Sequence, residues 1–100
     1  MVEFEWNASK AAANRQKHGE PFERALDLEW SLAYVIEDTR RDYGEKRYIA
    51  YAPMGERLFA VVYSWRGPRR RIISLRKANA REVARYNDAK GEEAKPGRGS

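Results

Sequence analysis

Polar and apolar residues alternate in short runs along much of the chain. Residues 3–6 alternate in this way near the start, and extended patterns return at 33–38, 46–52, 58–65 and 69–76. A period of two places successive side chains on opposite faces, which is typical of β-strands. Polar loops or Gly-containing turns separate the last four segments. We therefore predict one short N-terminal strand followed by an antiparallel meander.

The segment 58–65 is apolar on both of its predicted faces. A strand of this kind is predicted to lie in the centre of the sheet and to be covered on both sides. In the segment 69–76, regular alternation predicts that Ile72, Ser74 and Arg76 share one face. The head group of Arg76 is then expected to project clear of the sheet.

Two helices are predicted before the meander. Residues 8–18 are rich in strong helix formers, with Asn7 placed to cap the first turn and Gly19 placed to end the helix. Pro21 is suited to open a second helix, because its missing N–H costs nothing in a first turn. The spacing of Phe22, Ala25 and Leu26 predicts that they share one face of this helix.

A third helix is predicted near the C-terminus. Asn79 and Glu82 have the spacing of a capping box, so this helix starts near Ala80 and runs past Tyr86. Residues 91–100 lack an apolar period and are predicted to form a disordered tail. The fold class is therefore α+β: a short N-terminal strand, two helices, an antiparallel β-meander and a C-terminal helix. We expect one domain over residues 1–90, with the helices grouped on one side of the sheet.

Charge is distributed unevenly along the chain. Between Arg57 and Tyr86 nine Lys or Arg stand against one acid, Glu82, so this segment carries +8; because the whole chain carries +5, the remainder carries −3. Clustered cations bind nucleic acid by releasing its condensed counterions, so the segment favours a polyanionic ligand. The alternative is a solvated run of charge that only keeps the protein soluble.

The composition also narrows the possible chemistry. The chain has no cysteine and one histidine, His18. This excludes disulfides, a thiolate nucleophile and a zinc knuckle, so we expect no metal site and no cofactor. No apolar run is long enough to span a membrane, and the N-terminus lacks the pattern of a signal peptide. A cytoplasmic protein is predicted.

Three groups of residues together resemble the BrnT toxin family. They are residues 5–11 with Asn14, 17–19, Phe22 and Ala25; residues 37–40 with 42–45 and Arg47; and residues 71–78 with Glu82 and Tyr86. The groups occur in the right order between residues 3 and 86, which makes the resemblance specific. It implies a RelE-like fold and a ribonuclease toxin of a bacterial type II toxin–antitoxin system that inhibits translation. It also implies a partner, a BrnA-like antitoxin whose ribbon-helix-helix domain binds DNA, so operator DNA is bound only through the antitoxin.

Cleavage of RNA without a metal requires a base for the 2′-hydroxyl, stabilisation of the phosphate charge and an acid for the leaving oxygen. Arg76 and Arg47 are candidate phosphate clamps, with ordinary surface cations as the alternative. His18 is a candidate for proton transfer, because histidine changes charge near neutral pH; alternatively it stabilises the end of its helix. Tyr86 is a candidate proton donor or base-stacking side chain, and alternatively a packing residue.

Further cations are candidates for binding RNA, and two tryptophans are assigned to the core or to a partner contact. The cations are Lys17, Lys46, Arg69, Arg71 and Lys77, and the tryptophans are Trp30 and Trp65. Two functions fit these residues. One is a metal-independent endoribonuclease that an antitoxin holds inactive. The other is a non-catalytic module that uses the same basic face to bind nucleic acid or a protein. Convergence of proton-transfer groups on the arginines would favour the enzyme.

Overall fold

The computed structural model describes residues 2–94 of the 100-residue chain. Its regular elements, in chain order, are β1 (Glu3–Trp6), α1 (Ala8–His18), two short 3₁₀ helices (Phe22–Asp27 and Trp30–Leu32), β2 (Tyr34–Glu37), β3 (Tyr48–Met54), β4 (Arg57–Arg66), β5 (Arg69–Lys77) and α2 (Ala80–Ala94). The α+β class is confirmed. Helix α2 includes residues 91–94, which were expected in the tail, and residues 95–100 of that tail lie outside the described part of the chain.

The five strands form one mixed sheet in the order β1-β5-β4-β3-β2. Strands β2, β3, β4 and β5 pair antiparallel in succession, as predicted for a meander. Strand β1 pairs parallel with β5, from Glu3 beside Arg69 to Trp6 beside Ile72. A parallel pair needs a long crossover connection, and here the whole chain between β1 and β5 supplies it. The pattern of residues 3–6 predicted the strand but not this partner.

A β-bulge in β5 changes the face of the sheet on which the residues after Ile73 lie. Val62 pairs with Ser74 and Tyr63 pairs with Ile72, so Ile73 has no counterpart on β4. One extra residue moves the side chains beyond it to the other face. Ile72 is therefore 1% exposed in the main core, while Ser74 and Arg76 lie on the opposite face. The prediction that these three residues share one face is wrong.

Helices cover both faces of the sheet. The first face, which carries Phe59, Val61 and Tyr63, packs against α1 and the first 3₁₀ helix. The second face, which carries Tyr51, Leu58, Ala60 and Val62, packs against Tyr86 of α2. The expectation that the helices lie on one side is wrong, because the apolar second face of β3 and β4 also needs a cover. The prediction that β4 is central and buried on both faces is confirmed.

The helical segments before the meander differ in type. Helix α1 has the predicted bounds: Asn7 Oδ1 accepts a hydrogen bond from Lys10 N at 3.1 Å, and Gly19 ends the helix with φ 73°. The segment after Pro21 is a 3₁₀ helix, and no side chain caps its start. Its period of three buries Phe22 and Ala25 on one face and leaves Leu26 59% exposed, against the prediction that the three share a face.

Candidate functional site

Arg76 and Glu82 form a forked ion pair on the second face of the sheet. Arg76 Nη1 donates to Glu82 Oε1 at 2.8 Å, and Nη2 donates to Oε2 at 2.9 Å. The Tyr51 hydroxyl donates to Glu82 Oε2 at 3.3 Å. The hydrogen bond from Arg76 is the largest cause that lowers the pKa of Glu82 to about 2. Arg76 is therefore not the free cation that its place at the end of β5 indicated.

Glu82 also holds the start of α2. Its Oε1 accepts a hydrogen bond from Asn79 N at 2.9 Å, and its own N–H donates to Asn79 Oδ1 at 2.8 Å. The predicted capping box is confirmed. These two N–H groups already donate hydrogen bonds within the capping box, so they are not available to bind an anion. One carboxylate thus links the end of β5, the start of α2 and Tyr51 of β3.

A cavity of about 340 Å³ opens beside this ion pair, and we call it the guanidinium cavity. Arg40, Arg76 and Arg85 line it together with Tyr51 and three acids, Glu37, Asp38 and Glu82. Arg85 follows Glu82 by three residues, which places both on one side of α2. Arg40 and Arg85 were not among the site residues predicted from sequence, although the spacing of Arg85 from the capping residue Glu82 places it on the same side of α2. Guanidinium groups suit a phosphate, but Arg40 and Arg76 already pair with Asp38 and Glu82, so a phosphate would compete with these carboxylates.

Arg40 reaches the guanidinium cavity from the loop after β2. Its Nε and Nη2 donate to the two carboxylate oxygens of Asp38 at 2.7 and 2.8 Å, and the Tyr43 hydroxyl donates to Asp38 at 3.0 Å. The hydrogen bond from Arg40 is the largest cause that lowers the pKa of Asp38 to about 2. The Asp38 side chain is buried, whereas that of Arg40 is 64% exposed. The guanidinium is therefore anchored at one edge and open to a ligand at the other.

A second cavity of about 250 Å³, the histidine cavity, lies where α1 ends against β5. It is lined by Lys10, Ala13, Asn14, Lys17, His18, Ile73 and Ser74. No residue lines both this cavity and the guanidinium cavity. The structure therefore brings His18 together with Lys17, and it does not bring His18 into the same cavity as Arg76.

Asn14 holds α1 against the edge of β5 that β1 leaves open. Its Nδ2 donates to the carbonyls of Leu75 and Glu20 at 2.8 and 3.0 Å, and its Oδ1 accepts from Leu75 N at 3.1 Å. The Asn14 amide thus makes the two hydrogen bonds to the Leu75 backbone that a neighbouring strand would otherwise make. This contact fixes where Lys17 and His18 lie relative to Ser74.

The remaining predicted residues are spread over the molecule. Arg47 lies 4.2 Å above the Tyr43 ring and its Nε is 3.4 Å from Glu45 Oε2. Lys46 and Lys77 are exposed. The Tyr86 hydroxyl donates to the Leu32 carbonyl at 2.8 Å, and the ring lines a third cavity between α2 and the β3–β4 turn. Their roles in binding or cleavage stay predictions.

The cationic segment is partly neutralised in the fold. Strand β1 lies beside β5, and its acids face the arginines there: Arg71 Nη1 is 2.6 Å from Glu5, and Arg69 is 3.5 Å from Glu3 and 3.7 Å from Glu5. Charge that is separated along the sequence is therefore interleaved in space. Lys10 and Lys17 line the histidine cavity with His18, and Arg85 lines the guanidinium cavity.

Within the residues that the structure describes, neither a metal-binding cluster nor a membrane-spanning helix is found. Residues 2–94 contain no group of three or more His, Cys, Asp or Glu that could hold a metal ion. Over the same residues, no helix combines the length and apolarity that crossing a membrane requires.

Comparison with known proteins identifies the family. The family model described as the ribonuclease toxin BrnT of type II toxin–antitoxin systems matches residues 6–82. Among solved structures, the chain is similar to the ribonuclease toxin BrnT of Brucella abortus, with a TM-score of 0.61 and 27% sequence identity over 79% of this chain and 99% of that one. No curated protein matches the chain. The match to the family model covers most of the sequence, and the chain therefore belongs to the BrnT family of ribonuclease toxins.

Proposed function

We propose that this chain is an endoribonuclease that cleaves RNA without a metal ion, by attack of the 2′-hydroxyl on the adjacent phosphate, and thereby inhibits translation. The arrangement of β5 supports the proposal. Ser74 lines the histidine cavity and Arg76 lines the guanidinium cavity, on the same face of the strand. Two residues of a strand span about 7 Å. An RNA strand that follows this end of β5 would meet both cavities, and we therefore call the two together the RNA cavities.

The chemical roles follow from what each cavity contains. Arg76 and Arg85 would stabilise the charge that develops on the phosphate, as preorganised guanidinium groups do. His18 would accept the proton of the attacking 2′-hydroxyl, because histidine is the side-chain type suited to that step near neutral pH, and a water molecule would protonate the 5′-oxygen as its bond to phosphorus breaks. Lys17 in the same cavity would hold a flanking phosphate.

Other cations would guide the RNA rather than take part in cleavage. Arg47 rests on the Tyr43 ring beside Glu45, so we assign it to RNA binding. Lys46 and Lys77 are exposed and would contact flanking phosphates, together with Arg69 and Arg71 where the RNA displaces their acidic partners. Tyr86 donates its hydroxyl to Leu32 and is assigned to packing.

The family also supports a regulatory partner. We propose a RelE-like fold relationship and neutralisation in the cytoplasm by a BrnA-like antitoxin, whose ribbon-helix-helix domain would bind operator DNA. The toxin itself would then contact DNA only through that partner. Matched charge between an acidic antitoxin segment and this chain would speed encounter and set the register of the complex.

The deciding experiment uses the purified chain and RNA oligonucleotides in the presence of EDTA. We expect cleavage that leaves 2′,3′-cyclic phosphate ends and that fails on an oligonucleotide with a 2′-deoxy residue at the cleavage position. Loss of cleavage in EDTA with recovery on addition of magnesium would contradict the metal-free mechanism. RNA binding without any cleavage would favour the non-catalytic module instead.

A further inference from the structure

Arg70 lies in a cage of aromatic rings on the first face of the sheet. Its guanidinium carbon is 3.9 Å from the Trp30 ring centroid, 4.7 Å from Trp65, 4.8 Å from Tyr63 and 5.6 Å from Phe4. The rings also contact one another, with Trp30 and Tyr63 centroids at 5.7 Å and Tyr63 and Trp65 at 5.8 Å. Four rings from β1, β4 and a 3₁₀ helix thus hold one cation in place.

No carboxylate neutralises this cation among the described residues. The neighbours Arg69 and Arg71 point to the other face, where Glu3 and Glu5 pair with them. Arg70 Nε is buried and has no hydrogen-bond partner in the part of the chain that the structure describes. Burial lowers the pKa of Arg70, and Tyr63 is the group that opposes this shift. A guanidinium held without a carboxylate retains most of its capacity to bind one.

The cage is open to solvent on one side. Trp65 is 41% exposed, and Phe4, Trp30 and Arg70 are only partly buried. Tryptophan, tyrosine and arginine are the residues that contribute most to binding energy at protein interfaces, where they sit in desolvated pockets. The cage therefore has the composition of an interface anchor, and none of its residues lines either RNA cavity.

We propose that the Arg70 cage anchors the antitoxin: an Asp or Glu of its toxin-binding segment pairs with Arg70, and an apolar neighbour of that acid packs on Trp65. This inference rests on the proposed function, which supplies the antitoxin. A protein segment fits better than RNA, because the guanidinium already covers the ring faces on which bases would stack. The anchor lies on the opposite face from Arg76, so occlusion of the RNA cavities belongs to another part of the antitoxin.

The test uses the small BrnA-like protein of the proposed function, titrated against the full chain. Arg70→Met removes the charge and keeps a long apolar side chain. Arg70→Lys keeps the charge but lacks the paired N–H donors of a guanidinium. The matched control is Arg15→Met, at an exposed arginine of α1. We expect Arg70→Met to weaken binding by about 30-fold or more, the scale of an interface hot spot. The affinity of Arg70→Lys should fall between those of Arg70→Met and the wild type. The affinity of Arg15→Met should stay within about twofold of the wild-type value.

RNA cleavage by the free variants is measured beside the binding. Arg70→Met should cleave like the wild type, because the cage lies outside both RNA cavities. Unchanged affinity of Arg70→Met and Arg70→Lys for the small protein would overturn the anchor. Lost cleavage with intact binding would make RNA the occupant and overturn it too. If the wild type neither cleaves RNA nor binds the small protein, the proposed function itself fails.

Discussion

The carboxylate of Glu82 occupies both forked N–H groups of Arg76, at 2.8 and 2.9 Å. A phosphate at Arg76 must therefore displace this carboxylate or share the guanidinium with it. The cations Arg40 and Arg85 line the same cavity as Arg76. Glu82 therefore competes with a bound phosphate for the guanidinium of Arg76.

The first prediction is that Glu82→Gln binds RNA more tightly. Glutamine keeps the capping box, because it still accepts from Asn79 N, but it removes the negative charge beside Arg76. We expect about a tenfold gain in affinity, a change of about 1.4 kcal/mol. Fluorescence anisotropy with a 2′-deoxy-substituted, uncleavable oligonucleotide measures it. Glu56→Gln, in the exposed β3–β4 turn, is the matched control. An affinity equal to that of the wild type would show that Glu82 does not compete.

The second prediction concerns Arg76→Ala. Loss of one charge stabiliser of the transition state should lower single-turnover cleavage about a hundredfold. The substitution also leaves Glu82, which is 9% exposed, without its partner, so we expect the free energy of unfolding to fall by about 2 kcal/mol. The sequence alone predicts that the fold survives with a loss of no more than about 1 kcal/mol, because a surface cation rarely contributes more. Denaturation with urea beside the cleavage assay separates the two effects. Cleavage at the wild-type rate would remove Arg76 from the site.

The third prediction is that stability falls as the solution is made acidic. The pKa of Glu82 is lowered from 4.5 to about 2 and that of Asp38 from 3.8 to about 2. A carboxyl group with a lowered folded-state pKa stabilises the fold above its unfolded-state pKa, and that stabilisation disappears as pH falls through the folded value. We therefore expect the thermal midpoint to drop between about pH 5 and pH 2. The drop should be smaller in Glu82→Gln, which has no charge to lose; an equal drop in both proteins would assign the pH dependence to other groups.

The local elements were predictable from sequence because neighbouring residues determine them. Helix α1 has its predicted bounds because Asn7 and Gly19 act on the adjacent turns. The capping box at Asn79 and Glu82 formed for the same reason. These signals need no knowledge of the rest of the fold.

The site depends on contacts between distant segments, which local patterns do not encode. The bulge at Ile73 decides that Ser74 and Arg76 face away from Ile72, and it arises from the pairing of β5 with β4. The parallel pairing of β1 brings Glu5 to Arg71, which are 66 residues apart. The cationic segment was therefore predictable from sequence, but which of its arginines are neutralised was not.

The fourth prediction concerns Asn14, whose amide is 7% exposed. Asn14→Asp keeps the size but replaces the donor by an acceptor, so the carbonyls of Glu20 and Leu75 would face a carboxylate. We expect the free energy of unfolding to fall by about 3 kcal/mol, the cost of buried polar groups left unpaired next to a charge. Asn7→Asp, an exchange between two good N-cap residues, should change it by less than about 0.5 kcal/mol. Equal stability of the two variants would mean that Asn14 does not hold α1 on β5.

The last prediction separates the two candidates for proton transfer. Tyr86→Phe removes a hydroxyl that already donates to the Leu32 carbonyl and that lines neither RNA cavity. We expect it to lower the free energy of unfolding by about 1 kcal/mol and to leave cleavage within about twofold of the wild type. His18→Gln keeps a polar side chain in the histidine cavity but cannot change charge near neutral pH, so it should lower cleavage by about a hundredfold. Single-turnover rates of both variants beside the wild type measure the two effects. If Tyr86→Phe abolishes cleavage while His18→Gln does not, the proton is transferred by the tyrosine, and the assignment of roles between α1 and α2 must be reversed.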